Sequence, residues 1–291
     1  MDAKWIGIAA ALGSALSWAL GSVLFRRLGD FFPPVALTFA KGLLGSLLLG
    51  LVSLSLGFQP LEARIWGLLI LSGLLGIALG DTLFFLALNR LGAHVVVILF
   101  TLGQVLTLLL AVFWLGERPR PLDWVGITLI LLGVTLVLWY RIEGEEGRTQ
   151  LAGIGFGLLS ILAMSVSIII AKEALETAGS IQATLVRMLA GTLGIFLFSQ
   201  WRGGLFFQLQ PLRDPKVFGL FLGSVIVVTF GGFWLSLAAL AHVEVSIANT
   251  LGATEPLFVL PLAAVLLKEK ISPPAIFGGL ASALGILAIV L

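Results

Sequence analysis

Long apolar stretches alternate along this chain with short turns that are charged or rich in proline and glycine. The punctuation leaves ten apolar segments, at about 4–25, 33–56, 65–88, 93–115, 122–140, 151–171, 180–201, 216–240, 243–266 and 274–291. At 1.5 Å per residue each is long enough to cross, or nearly cross, a hydrocarbon core of about 30 Å. Lipid offers no hydrogen-bond partner to an open backbone, so the crossing elements are expected to be helices. The longest polar connection is RIEGEEGRTQ, residues 141–150, which separates two halves of five segments, 1–145 and 146–291.

Composition points the same way. Of 291 residues 59% are hydrophobic and 11% charged, with a mean hydropathy of +1.13, too little polar surface for a water-soluble domain of this length. The expected class is an all-α membrane protein, multi-pass, in the cytoplasmic membrane of a prokaryote. The first apolar run is too long for a signal-peptide core and leads into Arg26-Arg27, so it reads as a retained helix. Cysteine is absent, which excludes disulfides and thiolate chemistry, and His94 and His242 have no metal-ligand spacing. A net charge of +2, scattered over turns, gives no footprint for nucleic acid. No cofactor or metal is expected.

Two stretches repeat each other. LGERPRPLDWVGITLILLGVTLVL (115–138) and LKEKISPPAIFGGLASALGILAIVL (267–291) share leucine, glutamate, proline and glycine positions at an offset of 152. Gly80, Leu83, Ala87 and Leu88 match Gly232, Leu235, Ala239 and Leu240 at the same offset; at 146, Lys41 falls opposite Arg187 and Ser14 opposite Ser160. Since five is odd, a duplicated half enters the membrane from the opposite side. The expected architecture is therefore ten transmembrane helices as two inverted-topology five-helix repeats, which provide two similar gates around a mid-membrane site. Glu117 and Glu269 in the repeated turns are read as structural, capping helix N-termini or pairing with Arg118 and Lys270. Gly126 and Gly133, like Gly278, Ser282 and Gly285, share a helix face and suit close packing within each half or at a dimer contact. Either a monomer or a homodimer is compatible with that.

The E-R/K-x-x-P turns after segments 4 and 9, the basic residue early in segments 2 and 7 (TFAKGLL, LVRMLAG), the tryptophan of SALSWALGS and the TEPLF of segment 9 occur in an order that resembles the drug/metabolite transporter superfamily, in its EamA-like branch. The resemblance covers the whole chain. It departs where Gly103-Gln104 stands in place of an E-P pair in segment 4, so the two halves differ in chemistry. The resemblance implies a metabolite carrier, often an exporter, with helices 1, 3, 4, 6, 8 and 9 lining a central cavity. Amino acids, sugars, nucleotides and cations are all carried within that superfamily.

Ionisable groups at membrane depth are costly and are functional candidates by default. Lys41 in segment 2 and Asp81 in segment 3 both lie roughly 10–12 Å deep from one face, where an ion pair is geometrically possible. From the opposite face, Arg187 lies seven residues inside segment 7 and Glu255 twelve inside segment 9, the latter roughly 18 Å deep. Two readings stay open: structural ion pairs among Lys41, Asp81, Arg187 and Glu255, or a cavity carboxylate at Asp81 or Glu255 that binds a cationic group or exchanges a proton. Pro256 leaves the carbonyl of Gly252 without its helical donor beside Glu255. Ser14, Ser17 and Trp18 share one face of segment 1; with Phe84, Phe85, Thr101, Gln104, Ser160, Ser165, Phe233, Trp234, Asn249 and Thr250 they complete the candidate substrate-binding set. Trp5, Trp66, Trp124, Trp139 and Tyr140, near segment ends, read as interfacial anchors.

In the turns, five Lys and Arg residues fall on the face with both termini and ten on the other, which places the termini outside. The expected function is a secondary transporter of small metabolites such as amino acids, working by alternating access with proton coupling open to it. A membrane scaffold or lipid-handling protein without solute flux is the alternative. An intramembrane enzyme is disfavoured because HExxH, GxSxG and acidic metal-binding spacings are absent.

Overall fold

The structure, a computed structural model, describes residues 3–103, 105–106, 121–142, 147–175, 177–202, 205–243, 248, 251–252, 254–269 and 271–290. Helices α1 (Ala3–Leu28), α2 (Pro34–Leu56), α3 (Ala63–Leu91), α4 (Ala93–Phe100), α5 (Pro121–Ile142), α6 (Gly147–Leu175), α7 (Ser180–Arg202), α8 (Pro215–His242), α9 (Glu255–Leu267) and α10 (Pro273–Val290) follow one another, with a short 3-10 turn at Phe207–Arg213. Among the described residues there is no strand. Six helices are long and apolar enough to span a membrane: the described parts of α1, α2, α3, α6, α7 and α8. Trp124–Leu136 within α5 and α9 are shorter apolar helices.

Helix starts follow local chemistry. Proline opens α2, α8 and α10, where its missing N–H would have had no intrahelical acceptor. Asp214 caps α8 by accepting the Lys216 backbone N–H at 2.8 Å. Trp5, Trp66 and Trp124 are exposed, as anchors must be; the side chains of Trp139 and Tyr140 lie outside the described residues.

The packing order repeats between the halves. Helix α1 lies against α8 and α9, as α6 lies against α3 and α4; α3 touches α7 as α8 touches α2; and α2–α7, α4–α9 and α5–α10 are neighbours. Exchanging each helix with the one five places on leaves this set of contacts unchanged. The same exchange holds for individual atoms. The Ser14 hydroxyl donates to the carbonyl of Gly232 at 3.1 Å, and Ser160 to that of Gly80 at 2.7 Å. Both carbonyls belong to π-helical segments, Leu74–Asp81 in α3 and Val227–Trp234 in α8, which coincide within one residue under the 152-place shift. A π turn widens the helix and turns carbonyls away from their usual partners, leaving an acceptor for the facing serine.

Small residues set the closest approaches. The α5–α10 glycines pack across the halves, not within each half as one expectation had it. A β-carbon on Gly133 would lie 2.5 Å from the carbonyl oxygen of Gly278, and one on Gly285 2.6 Å from that of Gly126. Lipid gives apolar helices no reason to associate, so close backbone contact of this kind carries much of the packing. Gly133→Ala is therefore expected to force the helices apart and destabilise the protein by about 1–3 kcal/mol, read as a lower unfolding temperature in detergent. Gly155→Ala, where a β-carbon meets open space, serves as the neutral control.

Candidate substrate cavity

A cavity of about 300 Å³ lies between α1, α3, α4, α6, α8 and α9. Its aromatic wall is Trp18, Phe84, Phe100 and Phe233, with Trp18 edge-on to Phe233 at 4.8 Å and Phe84 to Phe100 at 5.2 Å. Its hydroxyls come from Ser14, Ser22, Thr101, Ser165, Ser167 and Ser236, and its charged groups are Lys172, Arg187 and Glu255. At one end the lining reaches Lys172, Leu240 and Ala248, close to the helix ends on the face that carries the N-terminus, and Lys172 is exposed there. At the other end it stops near Ser22, Phe84 and Val97. Beyond them Phe25, Leu28, Leu91, Ala93 and Val95 pack with at most 2% exposure. The opposite face is closed.

Of the residues anticipated from sequence, Ser14, Trp18, Phe84, Thr101, Ser165, Phe233 and Glu255 line this space. Others do not. Asp81 sits behind it with Lys41, facing a second void of about 10 Å³. Phe85 is core, tilted against Phe25 at 5.1 Å. Ser160 spends its hydroxyl on Gly80, and Trp234 stacks edge-on with Phe230 at 6.4 Å. Gln104, Asn249 and Thr250 lie outside the described residues, as do Glu117, Arg118 and Lys270.

Lys41 and Asp81 form a buried ion pair, each side chain 2% exposed. The ammonium also sits 4.9 Å from the Phe233 ring centroid and 5.4 Å from that of Phe85, so it is held by ring faces as well as by a carboxylate. A second pair, of Arg187 with Glu255, does not form: both side chains line the cavity, yet no ion pair joins them among the described residues. Arg187 instead donates to the Ser167 hydroxyl at 3.0 Å. Glu255 opens α9 with Pro256 behind it and Thr254 in a turn before it. A carboxylate in the first turn of a helix faces the positive end of the backbone dipole, and this offsets part of its desolvation cost. Sequence reasoning missed Arg187 as a cavity residue because helix 7 was not among the expected lining helices.

The closed face has its own polar lock. Lys268 adopts the left-handed conformation (φ 54°), which turns the chain at the end of α9 so that Glu269 points back at α4. There Glu269 accepts the Ala93 backbone N–H at 3.3 Å and the His94 ring N–H at 2.5 Å. It therefore caps an N-terminus, one of its two expected roles, but its side-chain partner is His94. Gly92 precedes α4 with φ 84°, and a β-carbon on it would lie 3.1 Å from the Glu269 carboxylate. Both the backbone twist and the glutamate demand glycine there.

A solute-sized cavity inside a bundle of membrane helices defines a membrane transport protein, and comparison with known proteins agrees. The EamA-like transporter family matches residues 5–139 and again 151–291. The chain belongs to that family and is a multi-pass integral membrane protein. It is 23% identical over 221 residues to a protein of Clostridium kluyveri named an uncharacterized transporter, covering 73% of this chain and 68% of that one. It is 23% identical over 220 residues to the uncharacterized transporter YvbV of Bacillus subtilis, covering 76% and 70%. A solved crystal structure shares the fold with a TM-score of 0.64 at 18% identity, covering 98% of this chain and 94% of that one.

Burial acts to raise the carboxyl pKa of Glu269. The His94 hydrogen bond and charge, the Ala93 N–H and the Arg26 charge together outweigh it and hold the group below the ordinary carboxylate range. A depressed folded-state pKa contributes stability that is present above the unfolded value and is lost as pH falls through the folded one. Glu269→Gln is expected to cost about 1.5 kcal/mol at neutral pH. The gap in unfolding temperature between Glu269→Gln and the wild type then closes as the pH is titrated below about 4.

Proposed function

We propose that this protein is a ten-span secondary transporter that carries small metabolites, of the size and polarity of amino acids, by alternating access around the central cavity. The observation that carries this reading is a cavity open to one face and sealed at the other, with a glutamate, Glu255, in its wall that has no ion-pair partner among the described residues. A static scaffold has no need of a charged group in a half-open pocket, whereas a carrier must offer its solute partners that can be exchanged. Glu255 supplies a site for a cationic group or a proton, and Trp18, Phe84, Phe100 and Phe233 supply faces for apolar or cationic parts of the solute.

The repeated contact order, the paired serine–carbonyl bonds and the matching π segments support two inverted repeats, 1–145 and 146–291, related by a twofold axis in the membrane plane. Under that relation the sealed face and the open face exchange when the halves exchange conformations. The excess of basic residues in the turns of the sealed face favours the open face outside; likeness to bacterial transporters favours a prokaryotic inner membrane, and net export is the direction proposed. A scaffold or lipid-handling role is the rival.

Purified protein reconstituted into liposomes and screened for counterflow of labelled amino acids tests the proposal. Exchange is expected for at least one of them. Glu255→Gln, correctly folded by size-exclusion profile, is expected to reduce it by about tenfold or more, the loss of one charge-assisted contact. Absence of counterflow across a broad metabolite panel would point to the scaffold; a normal rate with unchanged pH dependence in Glu255→Gln would leave that residue a structural one.

A further inference from the structure

The two halves differ at a buried charge where the repeat would have them agree. In the first, the basic residue of α2, Lys41, is neutralised by Asp81 of α3. In the second, Lys41 is matched by Arg187 of α7, but the position of Asp81 is held by Phe233. Arg187 has thus lost the carboxylate that the repeat pattern assigns to it. Asp81 is engaged by Lys41, and Arg187 feels its charge only from beyond ion-pair distance.

The side chain is nonetheless placed with care. Gly73 and Gly76 of α3 let α7 and Ser167 approach so closely that a β-carbon on either would collide, and one on Gly76 would also lie 3.4 Å from the guanidinium. Through this gap Arg187 passes α3 and reaches the cavity. Ser167 is itself locked to Ser72, each hydroxyl donating to the other's backbone carbonyl, at 2.9 and 2.7 Å. The residue is 5% exposed; one terminal nitrogen donates to Ser167, and Nε has no partner among the described residues. A guanidinium has five N–H donors, and leaving them buried and unmet is costly.

We propose that Arg187, held in place by Ser167, forms an anion subsite in the cavity wall that takes a carboxylate group of the solute. This deepens the carrier reading and rests on it. The planar fork of a guanidinium matches a carboxylate with two parallel hydrogen bonds. Of the three ionisable side chains facing the cavity two are basic, Lys172 and Arg187, against the one acid Glu255. A phosphate dianion would bring two charges into a largely apolar cavity with one guanidinium to meet them. The subsite gives Arg187 the partner that Phe233 withholds, and it places the anionic end of the solute on a different helix from Glu255.

Thermal unfolding of the full-length protein in detergent, with benzoate, benzamide and inorganic phosphate as probes, tests the subsite. Benzoate is expected to raise Tm in the wild type, while benzamide, of the same shape without the charge, and phosphate are not. Arg187→Gln is expected to abolish the benzoate shift. Arg187→Lys, which keeps the charge and thus the fold if the glutamine variant fails to fold, is expected to weaken benzoate by at least about tenfold because an ammonium cannot reproduce the fork. No benzoate shift in the wild type, an equal shift from benzamide or phosphate, or undiminished benzoate binding in both variants overturns the subsite. Amino-acid counterflow that persists beside any of those results removes the subsite alone and leaves the carrier standing.

Discussion

The Lys41–Asp81 pair lies deep in a bundle whose surroundings are almost wholly apolar, and much of the interior is arranged by the need to keep it neutral. Taking two charges out of water costs several kcal/mol per ion unless their geometry is good. Here the carboxylate meets the ammonium directly, and the rings of Phe85 and Phe233 cover the ammonium's remaining faces. The void beside the pair, about 10 Å³, is scarcely the size of one water molecule. Pair and rings together form a dry floor beneath the larger cavity. Because Asp81 is committed there, Arg187 and Glu255, with Lys172 at the mouth, are left as the charges that the cavity itself presents.

Around that floor the helices are joined by contacts that lipid cannot replace. Serine hydroxyls reach carbonyls on the neighbouring helix and glycines let backbones touch, and several of these contacts have a counterpart in the other half: Ser14 with Gly232 and Ser160 with Gly80, Gly133 with Gly278 and Gly285 with Gly126. The halves are not chemical copies, however. Where the first half has His94 at the start of α4, the 152-place shift brings Ser246, so the glutamate cap on the sealed face acquires a titratable partner that the sequence does not repeat.

Hydropathy was enough to read an all-helical membrane protein, because the length and spacing of apolar runs answer directly to the thickness of hydrocarbon; the family was legible in the order of its turn and helix motifs. The apolar runs were also enough to propose the Lys41–Asp81 pair, since both depths could be counted along a helix from one face. Seven of the anticipated site residues reached the cavity for the same reason: polar and aromatic groups on inward helix faces have few other places to go.

What sequence could not determine was rotation, register and competition for partners. Whether Ser160 faces the cavity or bonds to Gly80 depends on a π turn in α3 that no residue pattern announces. Phe85 and Trp234, neighbours of cavity residues along the chain, turn to the core and to Phe230 because successive helical residues point about 100° apart. Arg187 and Glu255, close enough in depth to be read as a pair, are kept apart: Gly73 and Gly76 admit one to the cavity across α3, and the break before α9 sets the other in a different wall. Local chemistry and membrane thickness fixed which residues are helical and buried; only the tertiary packing decided which of the buried charges meet each other and which are left for a solute.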